Sequence, residues 1–454
     1  MATILAIGFA ACQEDIVCGG VEAPNVNPEE SALYIVDSNG SKGLSRMEIR
    51  NNGKIDLTVK LSSPRPSDTH VSLTYDETAL EEYNTENKTN YLLLPLSMVN
   101  LSNNGKSSIK AGETAGNAIS MTLSSDGTLD PDAIYAVPLR MKGTSQSRII
   151  LVRDLTSLSN CHKMVKDANG DDVEAIKIFS VMEINDTNPL NNLRFKLKKS
   201  GKYMVDALVL FSGNINYDNE ASKVYFYANN NVQYCLDHYD ELLKPLKDRG
   251  IKIIMSVMCN HDRACISNLS DESAKVFAKE LKALCDTYNL DGIFWDDEYC
   301  SPMSPPPAGF VSRSNKAWSR LAYEVWKLQP ERWNVAYGYS TTNSGTDIDG
   351  VPSGEFIEYV LPDYNYSMRD YSNSFKGMPR NHMGAYSMEF AQGRTTGEAS
   401  LRNMRASGYG AMMVFAMDPY RSTAYTQQAA MEAMARAFYD DECVTDPTMY
   451  PKTW

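Results

Sequence analysis

Eight short apolar runs, each ending in or near polar residues, constrain this chain more than any other feature. They are AIKIFSVMEI (175–184), DALVLFSGNI (206–215), IKIIMSVMCN (251–260), LDGIFWDDEY (290–299), WNVAYGYS (333–340), FIEYVLPDYN (356–365), HMGAYSMEF (382–390) and GAMMVFAMD (410–418). Near-continuous apolar strands suit a parallel sheet covered on both faces. Helical patterns fall between them at 232–246, 273–288, 314–328 and 424–439. In the third, Trp318, Leu321, Ala322 and Val325 follow the spacing of one helical face. Eight strands alternating with helices predict a (β/α)8 TIM barrel, whose ligand-binding rim lies at the C-terminal strand ends. Six of the eight runs end in polar residues there: Asn214 and Asn216, Asn260 and His261, Asp296 to Glu298, Asp363 to Asn365, Glu389, and Asp418.

The first third has another rhythm. Short alternating segments (ALYIV, KIDLTVKL, HVSLTY, AISMTL, YAVPLRM, SRIILV) are separated by clusters of Ser, Asn, Gly, Asp and Pro, which predicts an antiparallel β-sandwich. NNGKSS at 103–108 resembles a phosphate loop, but Asn100 stands where that motif needs its first glycine, so a hairpin turn is expected. A polar stretch at 159–174 marks the domain boundary, near residue 165. The expected organisation is multidomain: residues 1–20 a signal and linker, 21–160 the sandwich, 165–454 the barrel. The sandwich is expected to act as a spacer in preference to a carbohydrate binder.

A net charge of −13, with no block of Lys and Arg, argues against nucleic acid and favours neutral partners such as sugars. Nine thinly spread cysteines without a CxxC pair signal neither a disulfide scaffold nor a zinc site; a Cys259–Cys265 bridge is the less favoured reading. The apolar run 4–11 is too short to span a bilayer. FAAC, ending at Cys12 and followed by acidic QED, resembles a lipobox, although the usual basic start is missing. The expectation is a lipid-modified Cys12 and a cell-surface, outer-membrane lipoprotein; an ordinary secretory signal is the alternative.

The fourth run ends in three carboxylates, Asp296, Asp297 and Glu298. On a strand, positions two apart share a face, so Asp296 and Glu298 point one way while Trp295 and Asp297 point the other. At a barrel mouth, burial and a like charge would both raise the Glu298 pKa and make it a general acid. Such a run by itself is equally compatible with a hydrated strand end or a cation site. No HExxH pair and no GxSxG elbow offers a rival chemistry, and no metal or cofactor is expected.

LDGIFWDDEY resembles the DGxDxDxE signature of glycoside hydrolase family 18, in its endo-β-N-acetylglucosaminidase branch of the endoglycosidase F and H type. VLFSGNINYD, GIKIIMSVMCNH, SPMSPPPAGFV, SMEFAQGR and GYGAMMVFAMDPYRS extend the similarity from about residue 175 to the C-terminus. The resemblance implies hydrolysis of the diacetylchitobiose core of asparagine-linked glycans, of high-mannose or hybrid type. In it Glu298 is the acid/base, Asp296 orients the substrate's acetamide and Tyr364 hydrogen-bonds it. It also implies glycan contacts by some of Asn214, Asn216, Asn260, Glu389, Gln392 and Arg394. Asp418 is a further expected rim contact, and Tyr364, Tyr366 and Tyr386 are better expected sugar platforms than Trp295, which alternates away from the cleft, or Trp318 and Trp326, which lie on a helix and read as core. The signature's second acid falls at Phe294, a departure expected to remove a like charge beside Asp296. A non-catalytic glycan-binding barrel and a chitinase-like hydrolase stay open as alternatives.

Overall fold

A computed structural model describes residues 31–454 except 39–41, 43, 50, 131–132, 158–162 and 365–366. The predicted lipidation site Cys12 and the rim residue Tyr366 therefore lie outside the described residues.

All eight predicted runs are strands: β1 (Lys177–Glu183), β2 (Val205–Asp218), β3 (Lys252–Cys259), β4 (Gly292–Asp296), β5 (Trp333–Gly338), β6 (Tyr359–Pro362), β7 (Gly384–Glu389) and β8 (Ala411–Phe415). They pair in parallel in the order β6-β5-β4-β3-β2-β1-β8-β7. A parallel bridge between Val360 and Met383, and the Ser387 hydroxyl donating to the Pro362 carbonyl at 2.5 Å, bring β6 to β7 and close the barrel. The alternation of each strand sorts its side chains into two layers. Phe179, Val181, Ala207, Val209, Ile254, Phe294, Val335 and Leu361 fill the barrel interior. Ile293 and Trp295 face outward and pack with Phe277, Leu281, Trp318 and Leu321 of the surrounding helices.

Those helices follow their local sequence. Asp271–Thr287 is capped by Ser270, whose hydroxyl accepts the Ser273 N–H, and Asp271 and Glu272 in its first turn oppose the helix dipole. Its buried Ala274, Phe277, Ala278, Leu281 and Cys285 form one stripe. Asn315–Leu328 and Ala424–Tyr439 match the predicted segments, whereas the run at 232–246 breaks into three short helices, the last opening at Lys244 with Pro245 in its first turn. Gly292 has a packing reason: a Cβ there would lie 2.2 Å from the Trp333 carbonyl oxygen, so only glycine lets β4 approach β5. Beyond the barrel proper, β2 continues through Gly213 to Asp218 and pairs antiparallel with Lys223–Ala228, raising a hairpin at the rim.

The N-terminal domain is a sandwich of two sheets. One orders Leu33–Asp37, Asn52–Leu61, Ile119–Ser124 and Val99–Leu101; the other orders Ser45–Ile49, Ser147–Asp154, Tyr135–Met141, Thr69–Tyr75 and Lys106–Ile109. Leu57, Val59, Ile119, Met121, Val137, Leu139 and Ile150 interdigitate between them. Two short edge pairings are parallel, Ser45–Ile49 on Ser147–Asp154 and Leu92–Leu93 on Tyr135–Met141. The expected hairpin at 103–108 is instead a turn that carries the chain from one sheet to the other. Asn103, Asn104 and Gly105 all have positive φ, and a Cβ on Gly105 would meet the Leu73 carbonyl oxygen at 2.1 Å.

The sandwich docks on the N-terminal face of the barrel, opposite the rim. Arg153 pairs with Asp291 at 2.8 Å, Lys252 with Glu48 at 2.5 Å, and Arg46 with Glu358. Tyr91 donates to Glu331 at 2.9 Å. Burial would raise the Asp291 carboxyl, but Lys247, Arg153 and Lys252 together hold it well below its usual range. Among the described residues, no helix is long and apolar enough to cross a membrane.

Candidate active site

The end of β4 divides its three carboxylates as the strand alternation predicts. Asp296 follows the inward Phe294 and is 2% exposed; Asp297, fully buried, turns outward; Glu298 is half-buried at the rim. One oxygen of Asp296, Oδ1, meets no hydrogen-bond donor among the described residues. A buried carboxylate oxygen without a donor costs free energy unless a ligand supplies one. Burial, then Glu298, Asp297 and Asp363, pushes the Asp296 carboxyl well above its ordinary pKa. Burial, then Asp363, raises Glu298. Both shifts favour a proton, and the half-exposed Glu298 can pass one to a bound ligand.

Asp297 does different work. Its Oδ2 accepts from Arg313 Nη2 at 2.8 Å and from Thr341, and its Oδ1 accepts from Ser267 at 2.9 Å. Arg313 Nη2 also reaches the Asp297 carbonyl at 2.8 Å and Ser340 at 2.5 Å. This network anchors the backbone immediately before Glu298. His261, on a left-handed backbone, donates its N–H to the Tyr299 carbonyl at 2.9 Å and fastens the other side.

Around the acids stands a wall of tyrosines. Tyr337, inward on β5, donates to Asp363 Oδ1, which also accepts the Tyr364 N–H at 2.7 Å. The Tyr364 ring lies 6.3 Å from Tyr337 and 5.8 Å from Phe415. Burial, then Glu389, Asp296, Asp363 and Glu298, drives the Tyr364 hydroxyl far above its usual range, so it stays protonated and can only act here as a donor or neutral acceptor.

The other predicted rim residues are distributed unevenly. Asn214 is buried on β2 and donates to the Met258 carbonyl at 3.4 Å; Asn260 donates to Asn216 at 3.2 Å, tying the tips of β2 and β3. Glu389 is buried at the end of β7 and accepts the Gln392 N–H at 2.9 Å, while Gln392 and Arg394 are exposed on the loop it organises. Asp418 has its carboxylate turned to the Tyr420 N–H at 2.9 Å and Arg421 at 3.6 Å, shaping the loop after β8. Tyr386, another expected sugar contact, is a correction: a bulge in the β7–β8 pairing puts it in the outer layer with Met388, away from the mouth. Trp295, Trp318 and Trp326 are buried in the outer layer, as their positions on strand and helix predicted.

Sequence reasoning left two strand ends without a polar contribution, β1 and β5, and both supply one. Glu183 closes β1 on the face of Phe179 and Val181; burial and Asp186 push it up to about 7 against the pull of Arg421. Tyr337 and Tyr339 close β5 with rings 5.8 Å apart. The signal was present in VMEI and in the tyrosines of VAYGY, where aromatic residues read equally well as core. Cys259 and Cys265 carry no disulfide; both are free thiols.

An eight-stranded barrel with an inward Asp and Glu two residues apart at the end of β4 is the architecture of a glycoside hydrolase. Over 281 residues, 62% of this chain and 83% of the relative, it is 49% identical to endo-beta-N-acetylglucosaminidase F1 of Elizabethkingia meningoseptica. It is 28% identical to an endo-beta-N-acetylglucosaminidase of a Flavobacterium species over 243 residues, 52% of this chain and 73% of that one. Crystal structures of Bacteroides thetaiotamicron EndoBT-3987, one with Man5GlcNAc product and one in complex with Man9GlcNAc2Asn substrate, superpose with TM-scores of 0.80 and 0.77 at 28% identity. Both alignments cover 92% of this chain and 97% of the other, so sandwich and barrel are matched together. A family model described as an N-terminal domain matches residues 27–148. The chain belongs to the endo-β-N-acetylglucosaminidase family, and it is a glycoside hydrolase.

Proposed function

We propose that the protein hydrolyses the GlcNAc-β1,4-GlcNAc core of high-mannose asparagine-linked glycans with retention, by the substrate-assisted route of family 18. The carrying observation is the shared inward face of Asp296 and Glu298, with Asp296 Oδ1 buried and unmatched while Glu298 is half-open. The 2-acetamido oxygen of the sugar attacks its own anomeric carbon as Glu298 gives its proton to the leaving oxygen. The acetamide N–H meets Asp296, and Tyr364 donates to the acetamide oxygen. Asp296 gives its proton to solvent as the acetamide N–H takes that place on the carboxylate, and the positive charge that builds on the nitrogen makes the contact stronger in the transition state than in the ground state. Water, deprotonated by Glu298, then opens the oxazolinium ring. Contacts with the remaining sugars fall to Asn214 and Asn216 on β2, Asn260 beyond β3, Glu389 at the end of β7, and Gln392, Arg394 and Asp418 in the loops that follow β7 and β8, with Tyr366 assigned from the sequence alone.

A lipid on Cys12 would hold the enzyme at the outer membrane, where it could meet glycoproteins outside the cell. The FAAC sequence supports that location, and the docking of the sandwich behind the barrel supports a presenting role for it. Incubation with a high-mannose glycoprotein, followed by weighing both products, tests the reaction. One N-acetylglucosamine should stay on each asparagine and the other should form the reducing end of the released oligosaccharide; release of the intact chitobiose, or an untouched glycoprotein, refutes it.

A further inference from the structure

Behind β4, on the side away from the barrel interior, the fold gathers three thiols that the proposed reaction does not use. Cys259 ends β3, Cys265 lies in the loop after it, and Cys300 stands two residues beyond Glu298. Their sulfurs all lie within 4.8 Å of one another, with Cys300 Sγ 3.1 Å from Cys259 Sγ. A fourth donor faces them: Asp297 Oδ1 is 3.0 Å from Cys300 Sγ and 3.6 Å from Cys259 Sγ. Cys259, Cys265 and Asp297 are fully buried and Cys300 half-buried.

We propose that Cys259, Cys265, Cys300 and Asp297 form a closed, structural site for one zinc(II) ion. The count of donors favours a metal over a disulfide, which would consume two sulfurs and leave the third thiol without a sulfur partner. Tetrahedral zinc with Zn–S bonds of about 2.3 Å needs sulfurs about 3.8 Å apart, which small thiol rotations reach from the observed spacing. Binding releases the three thiol protons, and the ion replaces them as the partner of the sulfurs and of Asp297 Oδ1. Three thiolates and a carboxylate carry four negative charges, offset by the divalent ion and by Arg313 on Asp297 Oδ2 at 2.8 Å. Ser267 and Arg313 fix the carboxylate as outer partners of metal ligands do. Thiolate softness selects zinc or cadmium over magnesium or calcium. With ligands at 297 and 300, the ion would clamp the segment that carries Glu298. Residues 259, 265 and 300 have no sequence spacing typical of a zinc motif, so only the fold reveals the cluster. The inference does not rest on the proposed substrate.

The test uses the full-length protein, reduced and stripped with chelator, then titrated with zinc, cadmium or cobalt(II) alone. One equivalent should bind, with thiolate-to-cobalt charge-transfer bands and the visible bands of tetrahedral cobalt. Zinc should protect Cys300 from alkylation, and chelator should restore its reactivity. Cys265→Ser and Cys300→Ser should each weaken binding by more than about a hundredfold, since loss of an outer partner alone costs 10–100-fold. Should either variant fail to fold, the alkylation protection in the unaltered protein still decides. Absence of binding, unprotected Cys300, or a mass two hydrogens short with a Cys259–Cys300 or Cys259–Cys265 peptide link in freshly isolated protein would overturn the proposal.

Discussion

Asp296 and Asp297 are chain neighbours with opposite fates: Asp297 is held by Arg313, Ser267 and Thr341, whereas Asp296, equally buried, has an oxygen that no donor in the described structure reaches. The strand's two-residue period produces that division by sending one side chain to the structural layer and the other into the barrel mouth. The run of three acids at 296–298 therefore holds two kinds of carboxylate. Asp297 secures the strand end; Asp296 and Glu298 are left underpartnered, where a ligand can complete them.

Glu298 is the one rim acid at the end of β4 that is both raised in pKa and open to ligand. Glu298→Gln keeps the shape and removes the transferable proton. Turnover of a high-mannose glycoprotein should fall by about 10²- to 10⁴-fold or more, with glycan affinity measured by calorimetry little changed. A variant that keeps wild-type turnover would remove Glu298 from the chemistry.

Removing the salt-bridge partner of Asp297 should cost stability without touching the reacting groups. Arg313→Ala leaves a fully buried carboxylate short of its cation, a change that costs about 3–5 kcal/mol in closed sites. Arg313 is itself one-third exposed, so the lower end, about 3 kcal/mol, is expected. Denaturant titration reads the loss; an unchanged midpoint would mean that Ser267 and Thr341 suffice.

For Asp296 the expectation has the opposite sign. Its pKa is raised in the folded state above the ordinary value of 3.8, so its favourable contribution is complete below that value and is lost as pH rises through the folded pKa. Asp296→Asn removes a buried charge that is penalised near neutrality. The variant should melt higher than the parent at pH 7 and show no such gain near pH 4, with chelator present so that Asp297 carries no cation. Its kcat should drop by about 10²- to 10³-fold, the scale of losing one preorganised electrostatic contact. A melting gain that is equal at both pH values would place the effect elsewhere.

Much of this site was legible in the chain because strand periodicity transmits directly into side-chain direction. The inward pairing of 296 with 298, the outward Trp295 and the barrel itself all follow from the period of two and the count of apolar runs. What stayed hidden depends on contacts between segments far apart in sequence. Asp363 was visible as a polar strand end, but its influence on both Asp296 and Glu298 is a matter of space. Tyr386 was misplaced because one bulge inverts the alternation of β7, and bulges leave little trace in composition. Glu183 was passed over because an acid after VM reads as the solvated end of a strand, whereas here it closes β1 within the mouth.

The link to Asp363 predicts a movement of the pH profile. As the acid of the proposed reaction Glu298 must be protonated, so kcat/KM should decline as pH rises past its pKa, which the negative charge of Asp363 helps hold up. In Asp363→Asn the side-chain oxygen can still accept from Tyr337 and from the Tyr364 N–H. The alkaline limb should shift to lower pH while the maximal rate is largely kept. A limb that does not move would show that Asp363 and Glu298 are uncoupled in the free enzyme.

Phe294 stands where the resemblance to the family 18 signature expects a second acid, and it lies in the barrel interior on the same face as Asp296, 1% exposed, with its ring 6.2 Å from that of Tyr337. Phe294→Asp would introduce a carboxyl deeper than Asp296, which therefore keeps its proton and donates it in a hydrogen bond to the Asp296 carboxylate. Favouring the charged form in this way lowers the Asp296 pKa, and the acidic limb of the rate profile should move to lower pH. The substitution also empties most of the ring's volume and buries a polar group, so a loss of about 3–5 kcal/mol in stability is expected alongside. Phe294→Leu separates the two effects: it should cost about 1.5 kcal/mol or less and leave the acidic limb in place. If both variants shift the limb equally, packing against Asp296, and not proton sharing, sets its titration.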